Sequence, residues 1–479
     1  MSGTKWLHLG AGNIFRVFIA ALAQDLLDAG LGDSGLVACE CFDEELIPTV
    51  FAPYNNETLG VTLHTDGRIE KRRIASITDA FGRDKEKLCR VAAAPGLQII
   101  SLTITEKGYA VHPAALSPGP EEAATTLECL TAALLARFEA GAPPLALVTM
   151  DNFAANGDVL KAALATIAGA WTDAGNVPEA FCAYLSAQAY PWTMIDKITP
   201  HPSPEVAQLL AVEGVPHTHI TKTAKGTVTA PFVNAEAAQY LVMEDTFPNG
   251  RPPFEKLPRR AGVYLTHRET VRRVDHMKVC ACLNPLHTIL GIAGMLLGYP
   301  TISACMADAR LVALVRKAAA EALPVVAHPG IIDPEAFLEE VLTQRFPNPF
   351  IPDTPQRIAT DSSQKIPVRF GQTLKAREKA GLPMEDLEAI PLLVALWLRY
   401  RMGMDDSGAP LTLAPDPLVP PEIAALHGLP LGSTPGLGSI LSNEKQFGID
   451  LVKAGLGEKI QKLFEALSKE PGAVAQGLS

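Results

Sequence analysis

"KWLHLGAGNIFR", residues 5–16, decides the reading of the fold: an apolar strand runs into two glycines and on into the helix-like stretch "NIFRVFIAALAQDLLDAG". The next apolar run, "GLVACECFD" at 35–43, completes a strand, glycine turn, helix and strand. Such a βαβ unit implies a parallel sheet with a ligand at its carboxyl edge. Gly10 permits the tight turn, and Gly12 removes the Cβ that would keep backbone N–H groups from a pyrophosphate. Phe15 stands where a third glycine would complete the usual fingerprint, so the loop reads G-x-G-x-x-x-R. Asn13 and Arg16, in the first turn of the helix, are further candidate cofactor contacts, and a chance glycine turn is the competing reading of the loop alone. Glu40 and Asp43 end the second strand roughly 30 residues past the loop, where a carboxylate accepts from ribose hydroxyls and repels the extra phosphate of NADP. NAD is therefore the expected cofactor, although Asp43 equally suits a helix cap ahead of Glu44 and Glu45.

Outward from this unit, "GLQIISLTI" and "PPLALVTM" read as further buried strands, followed at once by Thr105-Glu106-Lys107-Gly108-Tyr109 and Asp151-Asn152. Helical patterns at 123–140 and 160–170 fit the crossovers, and "GVYLT" is a last strand. From Thr270 the texture becomes helical, with stretches at 306–325, 333–343, 372–381 and 386–403, a Pro-rich loop at 410–421 and a closing helix near 455–468. The expectation is an α/β fold: a Rossmann-like parallel-sheet domain over 1–265, then a mostly α-helical domain over 266–479. The 479 residues are ample for two large domains, and 48% hydrophobic content with 19% charge excludes a mainly disordered chain. A net charge of −11 argues against a nucleic-acid backbone binder. No basic stretch followed by an apolar core opens the sequence, and no uninterrupted apolar run reaches spanning length, so a cytoplasmic protein without a membrane partner is expected. The eight cysteines form no C-x-x-C, and Cys39 and Cys41, sharing a strand face, read as packing rather than a metal site.

Polar residues gather at the sheet edge and in one helix. Thr103, Glu106, Asn152 and Asn156 follow strands, where they face either a ligand or their own loops; Asn156-Gly157 is a turn pair. In "HMKVCACLNPLH", Asn284 and His287 are three apart and share a helical face. Lys278 lies about 120° and 180° away from them on an ideal helix, and Pro285 offers a kink or π-type bulge to bring the three together. Burial of Lys, Asn and His in so apolar a stretch is costly unless they face a wet cavity or each other. With a nicotinamide, this set suggests oxidation of a secondary alcohol. Neutral lysine would take the hydroxyl proton, Asn284 and His287 would orient neighbouring hydroxyls, and no catalytic metal is required. The bland alternative is an exposed lysine and a satisfied interior histidine.

The segments "LGAGNIFR", "TEKGY", "DNFAANG", "MIDKITP", "EDTFPNGRP", "KVCACLNPLH" and "DSSQKIPVRF", in this order, resemble the polyol-specific long-chain dehydrogenase family. That family includes mannitol 2-dehydrogenase, mannitol-1-phosphate 5-dehydrogenase and the fructuronate and tagaturonate reductases. The resemblance implies a Rossmann-like domain, a helical C-terminal domain and zinc-independent NAD(P) chemistry on a small-molecule polyol or sugar acid. It makes Lys278 the general acid/base, Asn284 and His287 substrate-binding residues, and Asp196 of "MIDKITP" part of the substrate site. Two departures stand out. The family advances five residues from the lysine to the asparagine, and this chain six. Its usual F-P-N-S-M-V-D reads Tyr190-Pro191-Trp192-Thr193-Met194-Ile195-Asp196, which puts Trp192 where an asparagine normally holds the reacting oxygen. Lys365 and Arg369, with Arg357 nearby, suit a sugar-acid carboxylate or a phosphate, which leans the reading toward a hexonate. Packing salt bridges would explain them equally. The reading from a different class is a cofactor-binding sensor or scaffold without turnover.

Overall fold

The computed structural model describes residues 3–478, which divide into two compact units at the 272/273 bond. Thirteen strands lie in the first unit: β1 (Trp6–Leu9), β2 (Leu36–Cys39), β3 (Thr58–Leu63), β4 (Ile69–Ile74), β5 (Ile77–Phe81), β6 (Ile99–Leu102), β7 (Ala146–Thr149), β8 (Thr193–Asp196), β9 (Thr221–Lys222), β10 (Val228–Thr229), β11 (Phe232–Ala235), β12 (Tyr240–Glu244) and β13 (Val263–Thr266). Five of them form a parallel sheet in the order β5-β2-β1-β6-β7. β1, β2, β6 and β7 are buried at every position, as a sheet covered on both faces requires. One face packs under the crossover helices Thr126–Glu139 and Asn156–Asp173 through Leu130, Leu134, Leu164 and Trp171. The other is covered by the first helix through Phe15, Phe18 and Leu22.

The order reverses between β1 and β6, so the crevice at their carboxyl ends is the switch point where open α/β sheets bind ligands. The Thr126–Glu139 helix begins with a reciprocal box, in which Thr125 Oγ1 accepts from the Glu128 N–H and Glu128 accepts from the Thr125 N–H. Two three-stranded sheets, β11-β3-β4 and β13-β12-β8, and the β9–β10 hairpin complete the strands of this unit.

In the helical unit the Ala389–Arg401 helix is central and buried on nearly every side. The Glu321 carboxylate accepts from the N–H groups of Glu388, Ala389 and Ile390 at 2.7, 2.7 and 2.9 Å, placing negative charge at that helix's positive end. The Asn284–Leu297 helix packs against Pro355–Ala359, and a Cβ at Gly291 would meet Ile358 Cγ2 at 2.7 Å. The helical run 268–297 has the length and hydropathy to cross a membrane, yet 78% of its most apolar window is buried inside the protein, as a core helix is.

Candidate active site

Gly10 sits at φ +101°, and a Cβ there would lie 2.2 Å from the Thr103 carbonyl oxygen. Both the turn and the close approach of β6 therefore demand glycine. No heavy atom lies within 4 Å of where a Gly12 Cβ would stand, so the loop presents open backbone on that side. The Ala11 N–H donates to Glu40 Oε2 at 2.6 Å, and Glu40 Oε1 accepts from the N–H groups of Phe42 and Asp43 at 2.7 and 2.9 Å. One carboxylate thus ties the glycine turn to the end of β2. Asn13, half-buried, opens the helix, and its side chain makes no hydrogen bond among the described residues.

Two residues of the glycine-turn region are placed differently from expectation. Asp43 is 3% exposed, and its Oδ2 accepts from the hydroxyls of Thr223, at 2.8 Å, and Thr227. The cause is the β9–β10 hairpin, which folds over the end of β2; its Ala224 N–H donates to Glu45 Oε2 at 2.7 Å. Arg16 is 1% exposed rather than open to an anion. Its Nε donates to Thr58 Oγ1 at 3.2 Å and its Nη1 to the Ala230 carbonyl at 3.0 Å, fastening the first helix to its neighbours. Burial among neutral partners pushes the guanidinium down to about 9.

At the end of β6 a relay runs across the sheet. Trp6 Nε1 donates to Ser101 Oγ at 2.7 Å, and Ser101 Oγ meets His8 Nδ1 at 2.6 Å. The neutral ring of His8 thus bridges two hydroxyls, Ser101 at Nδ1 and Thr103 at Nε2. Nε2 lies 2.9 Å from Thr103 Oγ1 and fixes that hydroxyl at the sheet edge. Burial pushes His8 down to about 3, so the ring stays neutral. His8 was not singled out from the sequence; the signal was a histidine inside a buried strand, two residues before the glycine turn.

Asp151 organises the next loop. It accepts from the N–H groups of Ile104 and Thr105 at 2.9 and 3.0 Å and from the Tyr109 hydroxyl at 2.7 Å. Thr105 is held at φ 66°, ψ 156°, a conformation otherwise almost reserved for glycine. Glu106 and Asn152, on either side of this network, are exposed. Asn156 is fully buried: its Nδ2 donates to the carbonyls of Asp151 and Thr193, each at 3.1 Å, and its Oδ1 accepts from the Thr193 N–H at 3.0 Å. It clamps β7 to β8 and is not free for a ligand.

Trp192, immediately before β8, is fixed by its N–H to Glu244 Oε2 at 3.1 Å and by the Arg268 guanidinium 5.0 Å from a ring centroid. Its indole Nε1 is buried with no acceptor. Asp196 is buried at the far end of β8.

The Arg268–Met277 helix passes into a π-helical turn of the helical unit, Lys278–Cys282, closed by the Leu283 N–H to the Lys278 carbonyl at 3.2 Å. Leu283, at φ −133°, breaks the run, and a new helix begins at Asn284. Pro285 sits in the first turn of that new helix, where its missing N–H costs nothing. Of the two expected interruptions, the π-type bulge is present, as the Lys278–Cys282 turn followed by Leu283, and the proline kink is not. Lys278 is 2% exposed. Burial raises the carboxyl of Asp275, against the pull of the Lys278 and His276 charges. The Asn284 side chain makes no hydrogen bond among the described residues.

His287 is largely buried against Phe346, ring centroids 5.0 Å apart. Its Nε2 lies 3.5 Å from Asp353 Oδ2 without forming a hydrogen bond. Burial first, then repulsion from Arg369, Arg357, Arg345 and Lys365, pushes the imidazole down to about 3. Arg369 Nη1 donates to the Asn284 carbonyl at 3.1 Å and to Thr288 Oγ1 at 2.6 Å; Lys365 donates to the Ile358 carbonyl at 3.1 Å. Neither cation has a carboxylate at ion-pair distance among the described residues. Burial pushes Arg369 to about 10, and burial with repulsion from Arg369 pushes Lys365 to about 8. Lys278, Arg345 and Arg369 each lie in a π-helical turn, Lys278–Cys282, Val341–Arg345 and Pro367–Gly371, a device frequent at functional sites. Arg345 was not identified from the sequence, which carries no periodic mark of such a turn.

A glycine-turn parallel sheet with a threonine at its switch point, and a helical unit carrying a buried lysine beside unpaired cations, define a nicotinamide-dependent oxidoreductase of the Rossmann type. Residues 4–256 match the mannitol dehydrogenase Rossmann domain and residues 271–468 the mannitol dehydrogenase C-terminal domain, and the chain belongs to the mannitol dehydrogenase family. It is 45% identical to D-mannonate oxidoreductase of Thermotoga maritima, over 99% of this chain and 92% of that one. It is 29% identical to mannitol 2-dehydrogenase of Cereibacter sphaeroides, over 84% and 82%. Among solved structures, Pseudomonas fluorescens mannitol 2-dehydrogenase in a ternary complex with NAD and D-mannitol superimposes with a TM-score of 0.69, at 25% identity, over 99% of this chain and 94% of that one. Substrate-free D-sorbitol dehydrogenase shares the fold at a TM-score of 0.83 and 23% identity, over 100% and 96%.

NAD is the cofactor of this fold, and the residues fit it. Open backbone at Gly12 would receive a pyrophosphate, Glu40 holds the glycine turn to the end of β2, where the ribose would lie, and Thr103 carries a hydroxyl at the sheet edge. Among the described residues no group of three or more His, Cys, Asp or Glu side chains is arranged to hold a metal ion.

Proposed function

We propose that the protein interconverts a secondary alcohol of a hexonate-like sugar acid and the corresponding keto acid with NAD, Lys278 exchanging the proton. The observation that carries the anionic substrate is the pair Lys365 and Arg369. Both side chains are half-buried with no carboxylate at ion-pair distance among the described residues, which is unfavourable, and a substrate carboxylate relieves both at once, with a planar fork from the guanidinium and a point charge from the ammonium. The 45% identity to a protein named D-mannonate oxidoreductase points the same way.

Bound NAD supplies the acceptor and donor of the hydride. In the oxidation direction, Lys278 takes the hydroxyl proton at Nζ as the carbinol carbon loses its hydride; in reduction it returns that proton to the carbonyl oxygen. Its burial in the wide turn keeps water from competing for the proton. The Asn284 amide and the neutral His287 ring, whose Nε2 has no hydrogen-bond partner, orient the hydroxyls on either side of the reacting carbon. A neutral histidine can donate or accept there, whereas an imidazolium could only donate. Trp192 Nε1 supplies a further donor and, through its bulk, limits the substrate's size.

The test is isotopic. Incubation with NADH deuterated at the transferable position and the keto acid derived from mannonate should place deuterium on the new carbinol carbon. Label in product from fructose but not from the keto acid would move the substrate to hexitols, and no label from either would leave a cofactor-binding protein without turnover.

A further inference from the structure

Phe42 is an aromatic ring in an unusual place. It lies three residues beyond the last residue of β2, at the carboxyl edge of the parallel sheet, and is 66% exposed. An exposed ring of this size offers a flat apolar face on which a ligand's aromatic base could be covered. The ring is not loosely held. The Phe42 N–H donates to Glu40 Oε1, and the other oxygen of the same carboxylate accepts from Ala11 in the glycine turn. One side chain therefore fixes Phe42 relative to the phosphate loop.

A second constraint comes from the β9–β10 hairpin. Lys225, near its tip, donates to the Phe42 carbonyl and holds its ammonium 4.1 Å from the Phe42 ring centroid. The hairpin is itself anchored by Thr223 and Thr227 on Asp43 and by Ala224 on Glu45. A cation over one face of a ring leaves the opposite face open and draws the π-density toward itself. Because the ribose position lies at the end of β2, the base attached to that ribose projects over the same edge.

We propose that Phe42, backed by Lys225, is the wall on which the adenine ring of NAD stacks, and that the β9–β10 hairpin is the element holding this wall in place. This inference rests on the NAD-binding reading of the glycine turn and assigns its adenine subsite to residues of this chain. Asp43 then contributes indirectly, as the anchor of the hairpin.

The experiment is calorimetric titration of the purified full-length protein with ADP-ribose, which carries the adenosine and pyrophosphate but no nicotinamide. Phe42→Ala should raise its Kd about tenfold, the scale of one base–aromatic stack. Phe42→Trp should stay near the wild-type Kd, and Phe42→Leu, which keeps apolar bulk at an exposed position, should lose affinity as Phe42→Ala does. ADP-ribose affinity unchanged in both Phe42→Ala and Phe42→Leu would overturn the assignment while leaving the cofactor site in place. Wild-type protein that binds neither ADP-ribose nor NAD would overturn the cofactor reading, and this inference with it.

Discussion

Replacing Lys365 by methionine removes one ammonium from the surroundings of His287 and keeps most of the apolar stem. Lys365 is pushed down to about 8 by burial and by Arg369. In the free enzyme it is therefore about nine-tenths charged at pH 7 and about one-tenth charged at pH 9. The shift is downward, so the charge is present below pH 8 and lost as the pH rises through it. If the ammonium binds the substrate carboxylate, the KM for a hexonate should rise about tenfold between pH 7 and pH 9, in proportion to the fraction competent to bind. At pH 7 Lys365→Met should raise that KM further, by about 10–150-fold, since a hydrogen bond to a charged group is worth about 1.5–3 kcal/mol. At pH 9 the gap between variant and wild type should shrink. Initial rates with mannonate and with mannitol, measured in parallel, give the ratio of the two kcat/KM values, in which any titration belonging to the chemistry cancels. A ratio that does not change with pH or with the substitution would place Lys365 outside the substrate site.

Lys278→Ala should lower kcat by about 10²-fold or more, the usual scale for lost acid–base catalysis, with NAD affinity unchanged by titration; a retained pH profile of kcat/KM would assign the proton transfer elsewhere, His276 being the next candidate. Thr105→Gly should raise the melting temperature, because about 1–3 kcal/mol of backbone strain is released against about 1 kcal/mol of glycine entropy; a lower melting temperature would contradict the strain argument. Trp192→Phe removes a buried donor that lacks an acceptor in the free protein, so it should stabilise the fold by about 1 kcal/mol while weakening substrate binding. A change of the same sign in stability and in affinity would mean the indole N–H does not serve the substrate.

Much of the Rossmann unit was legible because its strands are short apolar runs followed closely by glycines or polar residues, as in "WLHL" before Gly10 and "ALVT", with Met150, before Asp151. The β3–β4 hairpin was not identified, although Asp66-Gly67 at its turn is a strong local signal. Strand β5 was missed because its pattern, buried only at Ile77 and Phe81, lacks a continuous apolar run. Lys278, Asn284 and His287 were legible as residue types too polar for their surroundings, and of the two interruptions expected beside Pro285, a kink or a π-type bulge, the structure has the second, over Lys278–Cys282. The exact place of the wide turn was not legible, because a π-helical turn shifts register without leaving a periodic trace, and Pro285 lies beyond it, in the first turn of the next helix. Asp43 misled for a related reason: its partners Thr223 and Thr227 lie some 180 residues away in the chain, at separations of 180 and 184. No local pattern announces a hairpin that reaches back over the end of β2.

The central claim is that a family scaffold built for NAD carries a helical unit whose unpaired cations select an anionic polyol. Its most direct test is the ratio of kcat/KM for mannonate to that for mannitol, followed by NAD reduction with wild-type protein at neutral pH in the presence of a chelator. One charge-assisted contact to the carboxylate predicts a ratio of about 10 or more in favour of mannonate, unaffected by the chelator because an ammonium and an amide polarise the reacting oxygen. Mannitol oxidised as well as mannonate, or better, would contradict it.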